Sequence, residues 1–133
     1  MTIRKERALR GCIGTIVPTQ PTLAREIILN AISAATADAR FPPVRLQELP
    51  ALWFEVDLLS RLERVSGPAE LDPDRYGVVV IAEPSKGVLL PGIEGVRTPE
   101  QQVDIARDKA RIPADAPVSL YRFTVTRFRE DLP

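Results

Sequence analysis

The stretch LRGCIG at residues 9–14 places the only cysteine of the chain, Cys12, between glycines at positions 11 and 14. The segment around it, residues 2–17, is rich in isoleucine and valine and is interrupted by both glycines. Glycine inside a strand marks a bulge or a close approach of another backbone. The segment therefore predicts a strand pair or one kinked strand, with Cys12 in a tight corner.

The residues after this corner predict a helix that begins after Thr22 and ends near Asp38. Thr22 suits the N-cap, and the prolines at positions 42 and 43 follow the predicted end. Apolar residues recur at helical spacing, which predicts one face packed on the sheet. That face comprises Leu23, Ile27, Ile28, Ala31, Ile32 and Ala35.

The middle of the chain predicts strands. Residues 52–65 alternate along one strand, with an apolar side toward the core and a polar side toward water or a site. Residues 76–82 form a short β-branched run, 84–87 carry a turn signal, and 88–91 supply the hairpin partner. Together these segments predict a meander of strands between the two helical regions.

The last third predicts a second helix and a closing strand. Thr98, Pro99 and Gln101 form a capping box with proline at the first helical position. Residues 118–130 alternate strongly and form the final strand. Because most connections between strands are short, the order indicates an α+β fold: a mostly antiparallel sheet flanked by two helices.

The amino-acid composition excludes several kinds of catalytic and metal site. The 18 basic and 18 acidic side chains balance, which disfavours a nucleic-acid binder. The absence of histidine excludes Ser-His-Asp and Cys-His catalysis within one chain and imidazole zinc sites. No metal or cofactor is indicated. One cysteine and no apolar run near the ~20 residues of a membrane span predict a cytoplasmic protein without a membrane anchor.

Cys12 is the first candidate site residue. It is either a small buried hydrophobe or a functional thiol. Gly11 and Gly14 would let backbone amides approach a ligand, and strand alternation puts Arg10 on the Cys12 face, where its charge favours the thiolate. Arg40 either pairs with an acid at the helix end or binds a ligand beside the corner formed by Pro42 and Pro43, the proline corner.

Glu55 and Asp57 are the second candidate group. They lie two residues apart on the polar side of the strand at residues 52–65, so their carboxylates are neighbours. Such a pair suits acid–base or metal chemistry, but solvated acidic strand faces are common and are the favoured interpretation.

Five stretches in this order resemble the AMMECR domain family: LRGCIGT, DARFPPV at 38–44, EVDLLS at 55–60, YGVVV at 76–80 and GVLLP at 87–91. In bacteria and archaea this family is known as protein A of the AmmeMemoRadiSam system. The resemblance covers residues 1–133 as a single domain. It implies larger and smaller subdomains with a cleft between them, and a Memo-like protein and a radical S-adenosylmethionine protein as partners.

The chain departs from the family pattern at two places. Members usually carry a helix and a strand before the position of Thr2, so the domain is expected to be N-terminally short, with an exposed sheet edge and apolar surface. A homodimer or a marginally stable monomer would follow. The second helix ends Lys109-Ala110-Arg111 where members end Lys-Ala-Gly, which puts arginine where a left-handed turn favours glycine.

Three functions follow from these observations. The first is an accessory domain that serves a Memo-like or radical enzyme. The second is an enzyme that uses Cys12 without histidine. The third is a nucleic-acid or regulatory binding module, which the neutral charge disfavours.

Overall fold

The computed structural model of the protein describes residues 1–130, which form two compact units. The first unit contains residues 1–58 and 127–130, and the second contains residues 59–126. The strands are β1 (Thr2–Lys5), β2 (Ala8–Cys12), β3 (Leu52–Leu59), β4 (Glu63–Val65), β5 (Gly77–Ala82), β6 (Ser85–Leu89), β7 (Ser119–Phe123) and β8 (Val125–Arg129). The helices are α1 (Leu23–Thr36) and α2 (Pro99–Lys109), with short 3₁₀ helices at Leu46–Ala51 and Pro68–Glu70.

The strands form two four-stranded antiparallel sheets, in the orders β2-β1-β3-β8 and β4-β7-β5-β6. The α+β prediction is confirmed. No helix among residues 1–130 is long and apolar enough to cross a membrane.

In the first unit, α1 packs on β1 and β2. Ile3 lies opposite both Gly11 and Phe54, so these three residues share one face of the sheet. A Cβ atom on Gly11 would stand 2.2 Å from the carbonyl oxygen of Ala34, so that face lies against α1. Glycine is required at position 11 because the helix backbone comes this close to the strand.

The predicted ends of α1 are confirmed, but its predicted apolar face is wrong in part. The Thr22 hydroxyl accepts a hydrogen bond from the Arg25 N–H, which caps the helix. The one buried residue of α1 is Ala34, which the periodicity did not select, because a small side chain is what permits the close contact with Gly11. Four large apolar residues of the helix are instead exposed: Leu23, Ile28, Leu29 and Ile32.

Two predicted long strands are each divided between the sheets. The segment 52–65 ends one strand at Leu59 and begins the next at Glu63, and the segment 118–130 breaks at Thr124. The Ser60 N–H donates to the Thr124 carbonyl, and the Thr124 N–H donates to the Ser60 hydroxyl. Side-chain alternation continues through a change of partner strand, so the sequence pattern does not reveal the break.

The second unit has a continuous apolar core. Buried residues from β4 to β7 pack with Val103 and Ala106 on the inner face of α2. The core comprises Val65, Leu71, Val78, Val80, Leu89, Val96, Val103, Ala106, Ile112 and Leu120. The hairpin turn is tighter than predicted, because Ala82 pairs directly with Ser85 and residues 85–87 belong to β6.

Both ends of α2 follow the sequence. Thr98 and Gln101 form the predicted capping box. At the other end, the Arg111 N–H donates to the Asp108 carbonyl and the Ile112 N–H donates to the Arg107 carbonyl, which is a Schellman motif. Arg111 therefore adopts a φ of 55°, the left-handed conformation that was expected to suit glycine.

Candidate functional site

Cys12 lies at the end of β2 with its side chain exposed. Its partner across the strand pair is Thr2, which in turn lies opposite Glu55 on β3. These three side chains therefore form a row on the sheet face opposite α1. The Cys12 Sγ atom is 3.4 Å from the Thr2 Oγ1 atom. The thiol is thus accessible, and a neutral hydroxyl is its polar neighbour.

The backbone of Cys12 is held by two residues that follow α1. Its N–H donates to Asp38 Oδ2 at 2.9 Å, and its carbonyl accepts from Arg40 Nη2 at 3.4 Å. Arg40 also pairs with Asp38 through Nε at 2.9 Å and Nη2 at 2.7 Å. The predicted closeness of Cys12 to Arg40 is confirmed, and both polar groups of the Cys12 peptide are engaged by one acid–arginine pair.

Asp38 is charged and buried in this arrangement, with 8% of its surface exposed. The Arg40 guanidinium and the Cys12 N–H hold the pKa of the Asp38 carboxyl far below its ordinary value of 3.8. From the sequence, Asp38 is only the end of a helix and an ordinary partner for Arg40. Its contact with Cys12 depends on bringing residues 26 positions apart together, which no local pattern reveals.

The prediction that Arg10 shares the Cys12 face is wrong. The β1–β2 register shifts between Ile3 and Arg4, so simple alternation does not hold across Arg10. Its guanidinium binds Glu48 through two hydrogen bonds of 3.0 Å.

Arg10 also ties the proline corner to the strand. It donates to the carbonyls of Pro42 and Pro43 at 2.9 and 3.4 Å. Arg10 lowers the pKa of Glu48 to about 2, helped by the backbone N–H of Arg45 and the ammonium of Lys5. A cavity of about 600 Å³ is lined by Arg10, Pro42, Pro43, Arg45, Gln47 and Glu48. No local pattern points to Glu48, because its side-chain partners Lys5 and Arg10 lie far away in the chain.

The two glycines of LRGCIG differ. Gly11 permits the contact of β2 with α1, so its backbone is used within the fold. At Gly14 the nearest atom to an added Cβ is the Met1 nitrogen at 3.9 Å, which leaves ordinary room for a side chain. Ligand binding by either glycine stays a prediction.

Glu55 and Asp57 lie on one face of β3, as the alternation predicts, and each is bound to arginine. Glu55 is 4% exposed and pairs with Arg4 Nε at 3.3 Å and Arg129 Nε at 2.7 Å. Asp57 accepts two hydrogen bonds from Arg127, at 2.6 and 2.8 Å. Glu55 is therefore more buried than a solvated strand face would make it, because the arginines replace its water.

The described residues 1–130 contain no group of three or more Asp, Glu, His or Cys residues arranged to hold a metal ion. Both acids on this side of β3, Glu55 and Asp57, are bound to arginines. The arrangement can present a thiol at a fixed position.

Comparison with known proteins identifies the family. A family model described as AMMECR1 matches residues 1–131, across both units. The chain belongs to the AMMECR1 family. An AMMECR1-family protein of Thermotoga maritima is 53% identical over 131 residues, which are 97% of this chain and 75% of that protein. A Clostridium acetobutylicum protein is 45% identical over 130 residues, but the chain spans only 28% of its length.

The fold is also that of an AMMECR1-family structure. The crystal structure of an uncharacterized Pyrococcus horikoshii protein superposes with a TM-score of 0.88 at 32% identity. The match covers 99% of this chain and 72% of the Pyrococcus chain.

Proposed function

We propose that this AMMECR1-family chain is an accessory domain that presents the Cys12 thiol to a partner enzyme. The resemblance to the AmmeMemoRadiSam system makes a Memo-like protein and a radical S-adenosylmethionine protein the first candidates for that partner. The observation that carries the proposal is the exposed thiol of Cys12 on a backbone whose N–H and C=O are both hydrogen-bonded to the Asp38–Arg40 pair.

The surrounding charges support a partner-dependent role. A self-sufficient thiol enzyme needs an acid or base that can take and return a proton. Around Cys12 the carboxylates of Asp38 and Glu55 are bound to Arg40, Arg4 and Arg129. The Arg40 guanidinium holds the pKa of the Asp38 carboxyl far below its ordinary value, and Glu55 is already engaged by two arginines, so we assign acid–base chemistry to the partner.

The test uses the whole chain co-expressed with the Memo-like and radical S-adenosylmethionine proteins of the same genome. We expect co-purification with one of them, and we expect Cys12→Ser to abolish the chain-dependent part of the partner's activity while the complex survives. The double variant Cys12→Ser/Thr36→Cys restores a thiol at an exposed position at the end of α1 and should not rescue activity. Full activity of Cys12→Ser, or no association with either protein, would refute the proposal.

One observation favours a second candidate, in which Cys12 is itself a catalytic nucleophile. The Arg40 guanidinium donates to the Cys12 carbonyl, which brings a fixed positive charge to the residue that carries the exposed thiol. Such a charge stabilises negative charge that develops in a transition state. Turnover by the isolated chain that Cys12→Ser removes would support this candidate, whereas turnover that appears only with a partner supports the accessory role. Either function suits a reducing cytoplasm, where a single exposed thiol is preserved.

A further inference from the structure

A cavity of about 630 Å³ lies within the second unit, where β4, β7 and α2 meet. Its volume falls in the range of small-molecule sites, roughly 300–1,000 Å³. Buried apolar side chains from three different elements line it: Val65, Val103 and Leu120. Val118, half-buried, extends this apolar surface. The cavity can therefore cover the apolar body of a ligand.

The rim of this cavity is basic. Arg64 and Arg107 line it together with the hydroxyl residues Ser66 and Ser119, and no acidic residue of the described chain is part of its lining. Within residues 1–130 neither arginine lies in an ion pair, although seven other basic residues do. Two guanidinium groups thus border the cavity without a neutralising carboxylate from the described part of the chain.

Arg107 is held in place before any ligand arrives. Its Nη1 atom donates to the carbonyls of Pro113 at 2.7 Å and Ala116 at 3.2 Å. A guanidinium has five N–H donors in a rigid plane, so two bonds from one nitrogen fix its orientation and leave other donors for an anion. Fixing a side chain in advance lowers the entropy cost of binding.

We propose that this cavity binds a small amphipathic anion, with a carboxylate or phosphate head at Arg107 and Arg64 and a short apolar body against the valines. Charge complementarity argues for the anionic head, and the buried Val65, Val103 and Leu120 argue for the apolar body. This site is independent of the role proposed for Cys12.

Gly67 provides a way to block the cavity. It lines the wall, its φ of −178° is extended backbone, and an added Cβ would meet nothing within 4 Å. Gly67→Leu therefore adds bulk at the site without backbone strain or a clash of the new Cβ atom.

The test is an ¹⁵N NMR titration of the whole chain with octanoate, octyl phosphate and octanol. We expect saturable shifts at the amides of Val65, Gly67, Val103 and Ser119 with at least one of the two anions, with millimolar affinity for a ligand of about ten heavy atoms. Octanol should bind at least about tenfold more weakly, because it forms no charge-assisted hydrogen bond. The tighter of the two anions identifies the head group.

Variants distinguish this site from other surfaces. Arg107→Gln and Gly67→Leu should each weaken binding about tenfold or more, and Arg107→Lys should retain part of it. Arg75→Gln, at a position outside the cavity lining, is the matched control and should bind normally. Equal affinity for octanol and the anions, no saturable shift, shifts confined to Ile28 and Ile32 of α1, or unchanged binding by both Arg107→Gln and Gly67→Leu would overturn the proposal.

Discussion

The two units of the chain are stabilised by different interactions. In the second unit, ten buried apolar residues form one cluster. In the first unit, the buried apolar residues are Ile3 and Ala34, and the buried polar residues are Asp38 and Glu55, both bound to arginine. The candidate thiol lies in the first unit, on a backbone fixed by one of those ion pairs. Hydrogen-bonded ion pairs are directional, and the unit whose buried polar residues are paired in this way is also the one in which the backbone of the candidate thiol is held.

The largest expected effect is in the apolar unit. Phe123 is 1% exposed and packs directly over Gly77, so Phe123→Ala should lower the free energy of unfolding by about 3–5 kcal/mol. Phe128→Ala, at a side chain that is largely exposed, is the matched control and should cost under about 1 kcal/mol. Hydrogen exchange at β5 amides measures the change. Similar losses for the two variants would show that the buried contact of Phe123 with Gly77 adds little to the stability of the second unit.

In the first unit the corresponding change is Glu55→Gln. It leaves Arg4 and Arg129 without their buried carboxylate, and we expect a loss of about 2 kcal/mol. Arg129→Gln should cost under about 1 kcal/mol, because that side chain is half exposed and Arg4 still pairs with Glu55. Fluorescence of Trp53, the only tryptophan, reports urea unfolding of this unit. A larger loss of stability from Arg129→Gln than from Glu55→Gln would mean that the buried carboxylate of Glu55 is not what stabilises this cluster.

The first unit should also be the acid-sensitive one. The pKa of Glu48 is lowered in the folded chain to about 2 from 4.5, chiefly by Arg10. A lowered folded-state pKa contributes stability that is complete above the unfolded value and is lost as the pH falls through the folded value. Unfolding followed by Trp53 should therefore require less urea as the pH falls from 4.5 toward 2.

Glu48→Gln tests the cause of this acid sensitivity. The variant should be less stable at neutral pH and should show a shallower loss between the two pH values. Urea unfolding should be measured at neutral and at low pH. Loss of the ion pair lowers the stability at neutral pH, whereas loss of the titrating carboxyl makes the stability depend less on pH. An unchanged slope in Glu48→Gln would assign the acid sensitivity to another carboxylate, such as Asp38.

The smallest effect is a gain in the second unit. Arg111 has a φ of 55° within the Schellman motif, and non-glycine residues pay roughly 1–2 kcal/mol for that conformation. Arg111→Gly should therefore raise stability by about 1 kcal/mol, after the greater entropy loss of glycine is subtracted. Asp104→Gly, at an exposed position inside α2, should instead lower stability. A loss of stability in Arg111→Gly would show that its side chain makes a stabilising contact.

Local features of the fold could be predicted from the sequence. Both helix N-caps could be predicted, because Thr22 and Thr98 accept hydrogen bonds from backbone N–H groups three residues further along the chain. The change of sheet at Ser60 and Thr124 could not be, since alternation describes a strand and not its partner. The burial of Ala34 in α1 could not be predicted either, because it depends on the contact with Gly11 in β2.

The candidate site divides in the same way. The glycine-flanked Cys12 and the nearby Arg40 could be found from LRGCIG and the proline corner. The partners that fix them could not, because Asp38 reaches Cys12, and Glu48 reaches Arg10, only after α1 and the following loop have folded onto β2. The redirected Arg10 depends on a register shift that leaves no pattern in the sequence.

The most direct test of the accessory role is the alkylation rate of Cys12 in the folded chain, with and without its partner. Iodoacetamide labelling of the free chain should proceed at this single cysteine without unfolding, because the thiol is exposed. Added Memo-like or radical S-adenosylmethionine protein should reduce the rate in proportion to the fraction of chain that is bound. Labelling that occurs only after denaturation, or a rate that neither partner changes, would contradict the presentation of Cys12 to a partner.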